Sequence, residues 1–170
     1  ELTQEPLLED DVFVVMPAES PLFPPDKTSI TLAEAAALPL ILSSPPHNLR
    51  RRIIQEFERA NLKANIVTEI DSLELIMRHV KEDGGATIQS MAATHTLPSQ
   101  AWRLLSFSDV PMIRVNYLYA MPKPQLSVSA AAVRLELKQL VRQLVDDGTW
   151  KHVRVTSPLE EEPFRPIRAA

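Results

Sequence analysis

The distribution of apolar and polar positions predicts alternating strands and helices over most of the chain. Val12–Met16 is a short β-rich run stopped by Pro17, and Pro21–Asp26 reads as a turn. Thr31-Leu-Ala-Glu34 is a capping-box pattern that opens a short Ala-rich helix, and Pro39 ends it. Leu40–Leu42 reads as a buried strand, followed by the polar, Pro-containing loop Ser43–His47. A helix begins near Asn48, with Leu49, Ile53, Phe57 and Ala60 on one face and Arg50, Arg51, Glu56 and Glu58 largely away from it. Ile66–Ile70 is a β-branched strand. Asp71 is the expected cap of a second helix, with Glu74 three residues on and Leu73, Ile76, Met77 and Val80 at i, i+3, i+4, i+7. Gly84-Gly85 ends that helix, and Ala86–Ile88 is another apolar strand.

Strand–helix–strand–helix–strand implies two consecutive crossovers, hence a parallel sheet with covered faces in an α/β fold. Further on, Trp102, Leu104, Leu105 and Phe107 alternate loosely with polar residues, as in an antiparallel edge, and Arg114–Met121 is a stronger strand. Pro122-Lys-Pro124 forces an extended loop. Ser127 or Ser129 then caps a long helix whose expected buried side is Val133, Leu137, Leu140, Val141 and Leu144, ending at Gly148. From Ser157 onward three consecutive glutamates, three prolines and two arginines show no period, the pattern of a disordered tail. No internal repeat is present.

Composition narrows the function classes. A chain of 170 residues with 45% hydrophobic and 24% charged positions can bury a core as one domain or two small lobes. The longest apolar run, Ala35–Leu42, is too short and Pro-broken to cross a bilayer. The acidic opening Glu1–Asp11 has no basic region of a signal peptide, so a cytoplasmic location without membrane contact is expected. The absence of cysteine excludes disulfides and thiolate metal sites and fits that compartment. A net charge of −4 and a pI near 5.6 argue against this piece gripping a phosphate backbone by itself. An opening on Glu1 rather than Met, inside structured-looking sequence, fits a fragment or a processed terminus.

Candidate chemistry gathers at one sheet edge. Open parallel sheets bind ligands beyond the C-terminal ends of their strands, where helix N-termini present free N–H groups suited to an anion. Here that edge carries Ser43, Ser44, Pro45, Pro46, His47 and Asn48, then Asp71 and Ser72, then Gln89 and Ser90. The candidate ligand-binding residues are Ser43, Ser44, His47, Asn48, Asp71 and Ser72, with Arg50 and Arg51 adding positive charge. Each alone reads as an ordinary loop or cap residue; their convergence makes the pocket. A triad of Ser43 or Ser44 with His47 and Asp71 is imaginable, but no G-x-S-x-G motif occurs among the three glycines. Glu69 and Asp71 read as a solvated charge and a cap rather than an acid/base pair. His47, His79, His95 and His152 lack metal-ligand spacing, so no metal site and no cofactor is expected. Arg50-Arg51-Arg52 reads as a solvated or partner-facing helix surface.

Several stretches then resemble one family in order and spacing. Leu7-Leu-Glu-Asp-Asp-Val-Phe-Val-Val-Met-Pro17 resembles the strand by which LysR-type regulators cross from their first regulatory lobe to their second. Pro39-Leu-Ile-Leu-Ser-Ser-Pro-Pro-His-Asn-Leu-Arg50 is similar to that family's ligand-loop segment. Thr68-Glu-Ile-Asp-Ser-Leu73 with Gly84-Gly-Ala-Thr-Ile88 resembles its next strand and glycine turn. Pro124-Gln-Leu-Ser127 through Trp150 looks like the return to the first lobe, and the Pro-Pro-His-Asn-Leu-Arg and Glu-Ile-Asp-Ser-Leu stretches look closest to the nitrogen-assimilation-control branch. Where the family usually has Leu-Pro after the glycine-turn strand, this chain has Gln89-Ser90.

The resemblance implies a type II periplasmic-binding-protein-like sensor of two α/β lobes, the second complete and the first partial. Residues 1–16 would be the crossing strand, 17–116 the second lobe, 117–150 the return strand and closing helix, and 151–170 a disordered tail. It implies a non-enzymatic effector-binding domain of a transcription regulator, a homo-oligomer (dimer or tetramer) with a small, anionic metabolite as effector. DNA would be contacted only through an N-terminal winged helix-turn-helix outside this chain. A solute-binding module of a transport system and, more remotely, a serine hydrolase stand as alternatives.

Overall fold

The structure, a computed structural model, describes residues 2–94 and 100–156. His95 and the tail expected at 157–170 lie outside the described residues. The chain divides into two compact units, Glu1–Glu9 with Val115–Ala170 and Asp10–Arg114.

The Asp10–Arg114 unit is built on the strand β1 (Thr3–Pro17), which pairs antiparallel with β5 (Thr87–Ser90) on one side and with β6 (Trp102–Phe107) on the other. Val12–Met16 is uniformly apolar because both of its faces are covered. Val12, Val14 and Met16 face one core cluster with Leu49, Ile53 and Phe57 of α2 (Asn48–Arg59) and with Leu32, Ala35 and Ala36 of α1 (Leu32–Ala37). Phe13 and Val15 face the other, with Trp102 and with Ile76, Met77 and Val80 of α3 (Leu73–Asp83). The period of two along β1 thus separates helices onto the two sides of the sheet.

The expected parallel crossover is present in part. The strands β3 (Leu40–Leu42) and β4 (Ile66–Glu69) pair parallel, and β5 reaches β3 by one parallel bridge, Leu40 to Ala86. Beyond that point β5 joins antiparallel partners. Trp102–Phe107 is not an edge: β2 (Ser29–Ile30), unmarked by any period in the sequence, pairs parallel with β6 on its far side. The capping box holds as expected, with Glu34 N–H on the Thr31 hydroxyl at 3.2 Å and Thr31 N–H on the Glu34 carboxylate at 2.8 Å. Arg50 and Glu56, expected to point away from the core, are both nearly buried. Ion pairs explain it: Arg50 meets Glu69 at 3.1 Å, and Glu56 is held between Arg52 and Arg59. Of the Arg50-Arg51-Arg52 run, Arg50 and Arg52 therefore brace the fold, while Arg51 stays exposed.

In the other unit, α5 (Val128–Asp146), capped by Ser127, and β8 (Val153–Val155) enclose Leu8, Val141 and Val153. β7 (Ile113–Ala120) and β8 both pair with β1, so the tail expected from residue 151 opens on an ordered strand. The buried side of α5 differs from the expected one. Val141 is buried as expected, but Val133, Leu137 and Leu140 are exposed and Lys138 is buried. Glu5 sets this rotation, accepting from Arg134 at 2.7 and 2.9 Å and from Lys138 at 2.7 Å. Among the described residues no helix is long and apolar enough to cross a membrane.

Two stability predictions follow from this geometry. A Cβ on Gly85 would sit 2.4 Å from Ile41 Cδ1, itself buried, and 2.9 Å from the Pro39 carbonyl oxygen. Gly85→Ala should therefore cost about 1–3 kcal/mol in urea unfolding with an unchanged m value. Gly84, at φ +74° with open space around it, should cost only about 1 kcal/mol on replacement by Ala. Equal losses at the two sites would contradict the packing. For Glu5, hydrogen bonding by Arg134 and then Lys138 outweighs burial and lowers the pKa to about 2 from 4.5. A depressed folded-state pKa stabilises above the ordinary value and loses that contribution as pH falls from 4.5 towards 2. The stability gap between the wild type and Glu5→Gln, followed by tryptophan fluorescence, should shrink across that window by at most about 3 kcal/mol.

Candidate functional site

Within the Asp10–Arg114 unit, the chain segments leaving β3, β4 and β5 surround a cavity of about 190 Å³. Its polar lining is Ser43, His47, Asp71, Gln89, Ser90 and Arg114, over a floor that includes Leu49 and Ile76. His47 is the N-cap of α2, but its side chain makes no capping hydrogen bond. The first-turn N–H groups of α2 are thus uncapped, and the positive end of the helix dipole lies at the cavity wall. Ser43 is nearly buried. Ser90 is 1% exposed and its hydroxyl, shut from solvent, has no hydrogen-bond partner among the described residues. On another wall Arg114 forms a two-pronged pair with the fully buried Asp10, Nε to Oδ1 at 3.0 Å and Nη2 to Oδ2 at 2.6 Å.

Of the six candidate residues, Ser43, His47 and Asp71 line this cavity, while Ser44, Asn48 and Ser72 are engaged elsewhere in the frame. Ser44 donates from its backbone N–H at 2.9 Å and its hydroxyl at 2.7 Å to the same oxygen of Asp71. Asn48 accepts from Arg51. Ser72, not Asp71, caps α3, accepting from Leu75 N–H at 3.4 Å. The helix starts one residue later than the sequence suggests, and Asp71 is drawn across to the Ser44 loop instead. That bonding, the Ser44 hydroxyl first and its N–H second, holds the Asp71 carboxyl below the usual carboxylate range, with a smaller contribution from His47. The rim therefore carries an ionised acceptor at neutral pH.

Among the described residues Ser43, Ser44, His47 and Asp71 form no hydrolytic relay. The Ser44 hydroxyl bonds directly to Asp71, and no side-chain hydrogen bond joins His47 to either serine. His79 instead pairs with Asp83 at 2.5 Å and lies 3.4 Å from the Thr68 hydroxyl, away from this cavity. Among the described residues no group of three or more His, Cys, Asp or Glu side chains is placed to hold a metal. A larger cavity of about 440 Å³ opens beside Pro17–Pro21 and the C-terminal end of α3. It has no uncapped helix N-terminus, and the one buried hydroxyl on it, Ser20, accepts from Leu22 N–H at 3.4 Å. The smaller cavity holds the convergent polar groups.

Gln89 and Ser90 were placed at this edge by the sequence, but Arg114 was not. It begins a strand far along the chain from the loops, and only its pairing with Asp10 on β1 carries it to the wall. The available signal was an arginine near the start of β7 and an aspartate two residues before the apolar run Val12–Met16 of β1.

Residues 1–142 match the family model described as the LysR substrate binding domain. The nitrogen assimilation regulatory protein nac of Klebsiella aerogenes is 26% identical over 141 residues, which cover 82% of this chain and 45% of that protein. The chain thus spans about half the length of that curated relative. Among solved structures, the regulatory domain of CcmR from Synechocystis PCC6803, in complex with 2-PG, aligns at a TM-score of 0.70 and 20% identity, covering 82% of this chain and 67% of that one. The effector-binding domain of QuiR in complex with shikimate aligns at 0.65 and 22%, covering 78% and 62%. These likenesses show a shared mixed α/β fold, that of type II periplasmic binding proteins. With most of its length matched by the family's model and its described residues folded in the same way, the chain belongs to the LysR substrate-binding domain family.

Proposed function

We propose that this chain is the effector-binding part of a LysR-type transcription regulator and that it binds a small anionic metabolite rather than turning one over. The observation that carries this reading is the cavity at the strand ends, where the uncapped N-terminus of α2 meets Ser43, His47 and the unpartnered Ser90 hydroxyl. Such a wall offers donors to an anion and no assembled nucleophile. The unit Asp10–Arg114 serves as the second lobe expected at residues 17–116. Binding of 2-PG by the CcmR regulatory domain and of shikimate by the QuiR domain, both similar in fold, supports a small carboxylate-bearing effector here. Likeness to the nitrogen assimilation regulatory protein supports a regulatory output, which this reading assigns to a cytoplasmic homo-oligomer acting on transcription. DNA contact belongs to a winged helix-turn-helix elsewhere in the whole protein.

A thermal-shift screen of small carboxylates, with 2-PG and shikimate among them, tests the reading. A ligand present at a hundred times its Kd adds about 2.7 kcal/mol, which raises Tm by several degrees. At least one carboxylate should do so for the wild type and fail for Ser43→Val. A folded protein whose Tm no carboxylate moves would contradict the proposal.

A further inference from the structure

Arg114 enters the cavity as a cation whose orientation is already fixed. Its Nε and Nη2 lie on the two oxygens of Asp10, which is 0% exposed, so the guanidinium plane is held before any ligand arrives. A guanidinium has five donor hydrogens, and this pairing uses two of them. Nη1 has no acceptor among the described residues, and the side chain keeps 29% exposure. Beside it, Ser90 carries the buried hydroxyl without a partner, and an orphan group in a cavity wall marks a place where a bound group completes the hydrogen bonding. Strand register brings the two together. Ser90 of β5 lies opposite Val12 of β1, and Asp10 is two residues along β1 from Val12, on the same side of the strand. On the rim stands the Asp71 carboxylate, ionised and bonded to Ser44, which rejects a second anionic group and accepts from a donor. The cavity volume equals that of about six waters.

We infer that Arg114, positioned by Asp10, is the residue that recognises the carboxylate of the ligand, with Ser90 adding a hydrogen bond. The ligand is then a small molecule bearing a carboxylate at one end and a hydroxyl or amino donor towards Asp71 at the other. This rests on the reading of the cavity as an effector site. It also assigns a role to an ion pair that would otherwise be a costly internal feature, since a buried pair is weak in net stabilisation. Asp10 and Arg114 are the first and last residues of their unit, so a ligand that draws on Arg114 acts on both strands by which the chain leaves it.

The test uses amide chemical shifts of the purified protein titrated with glycolate, serine and shikimate, alongside the uncharged methyl esters of glycolate and shikimate. Binding is located by the resonances of Ser43 and Ser90. The proposal expects the carboxylates, and not the esters, to bind the wild type. Arg114→Gln should weaken them at least tenfold, Arg114→Lys less so, and Ser90→Ala about fivefold. Because Arg114→Gln strands a buried carboxylate, the double variant Asp10→Asn/Arg114→Gln makes the same measurement with no buried charge. Asp10→Asn alone should reduce the preference for carboxylate over ester, a readout that a purely structural role would leave in place. Carboxylates that bind at Ser43 and Ser90 as tightly in the Arg114 variants, or esters that bind equally well, would overturn the assignment of Arg114 while leaving the effector site standing. If no probe moves those resonances in the wild type, the effector-site reading and the assignment fall together.

Discussion

Burial of Val12–Met16 on both faces is the constraint on which the Asp10–Arg114 unit depends. A strand covered on one side only would alternate apolar and polar residues, and this one does not. Its even positions hold α1 and α2 and its odd positions hold α3 and Trp102, so the two helical layers are fixed by one pentapeptide. Its backbone is equally committed, with β5 and β6 paired on either side. Truncating a fully buried side chain in this run removes contacts to a whole layer, a loss of about 2–5 kcal/mol for the larger ones.

The same strand supplies the charges that decide the chemistry on either side of the unit boundary. Glu5 fixes the rotation of α5 through Arg134 and Lys138, and Asp10 fixes the plane of the Arg114 guanidinium. Both are carboxylates on a strand whose later half is apolar, and both bind cations delivered from distant sequence. The cavity beside Arg114 is then furnished from separate segments: a loop after β3, a loop after β4, the end of β5 and the start of β7. None of those segments is a site by itself. What joins them is the β3–β5 contact at Gly85, where only a residue without Cβ lets the Ala86 N–H reach the Pro39 carbonyl at 3.0 Å.

Much of the frame was legible because it rests on local rules. The Thr31–Glu34 capping box, the α2 stripe, the Gly84 stop and the strands at Leu40 and Ile66 each follow from residues within one turn or one strand. What was not legible depends on partners far along the chain. β2 is two residues long and exists because β6 offers it a ladder. The buried face of α5 follows from Glu5 rather than from the Val133, Leu137 and Leu140 stripe, which the helix leaves exposed. Asp71 looked like a cap because a cap is a local pattern, whereas its bond to Ser44 bridges two loops. Half of the candidate site residues nonetheless line the cavity, since strand ends and helix starts are themselves local features.

The central claim is that Val12–Met16 is the element against which the rest of its unit is organised, and native-state hydrogen exchange tests it most directly. The amides of Val12–Met16 and those paired with them in β5 and β6 should exchange only through global unfolding, with one shared opening free energy equal to that from urea denaturation. Exchange of the Val14 and Val15 amides through a smaller opening than those of α2 or β3 would contradict the account.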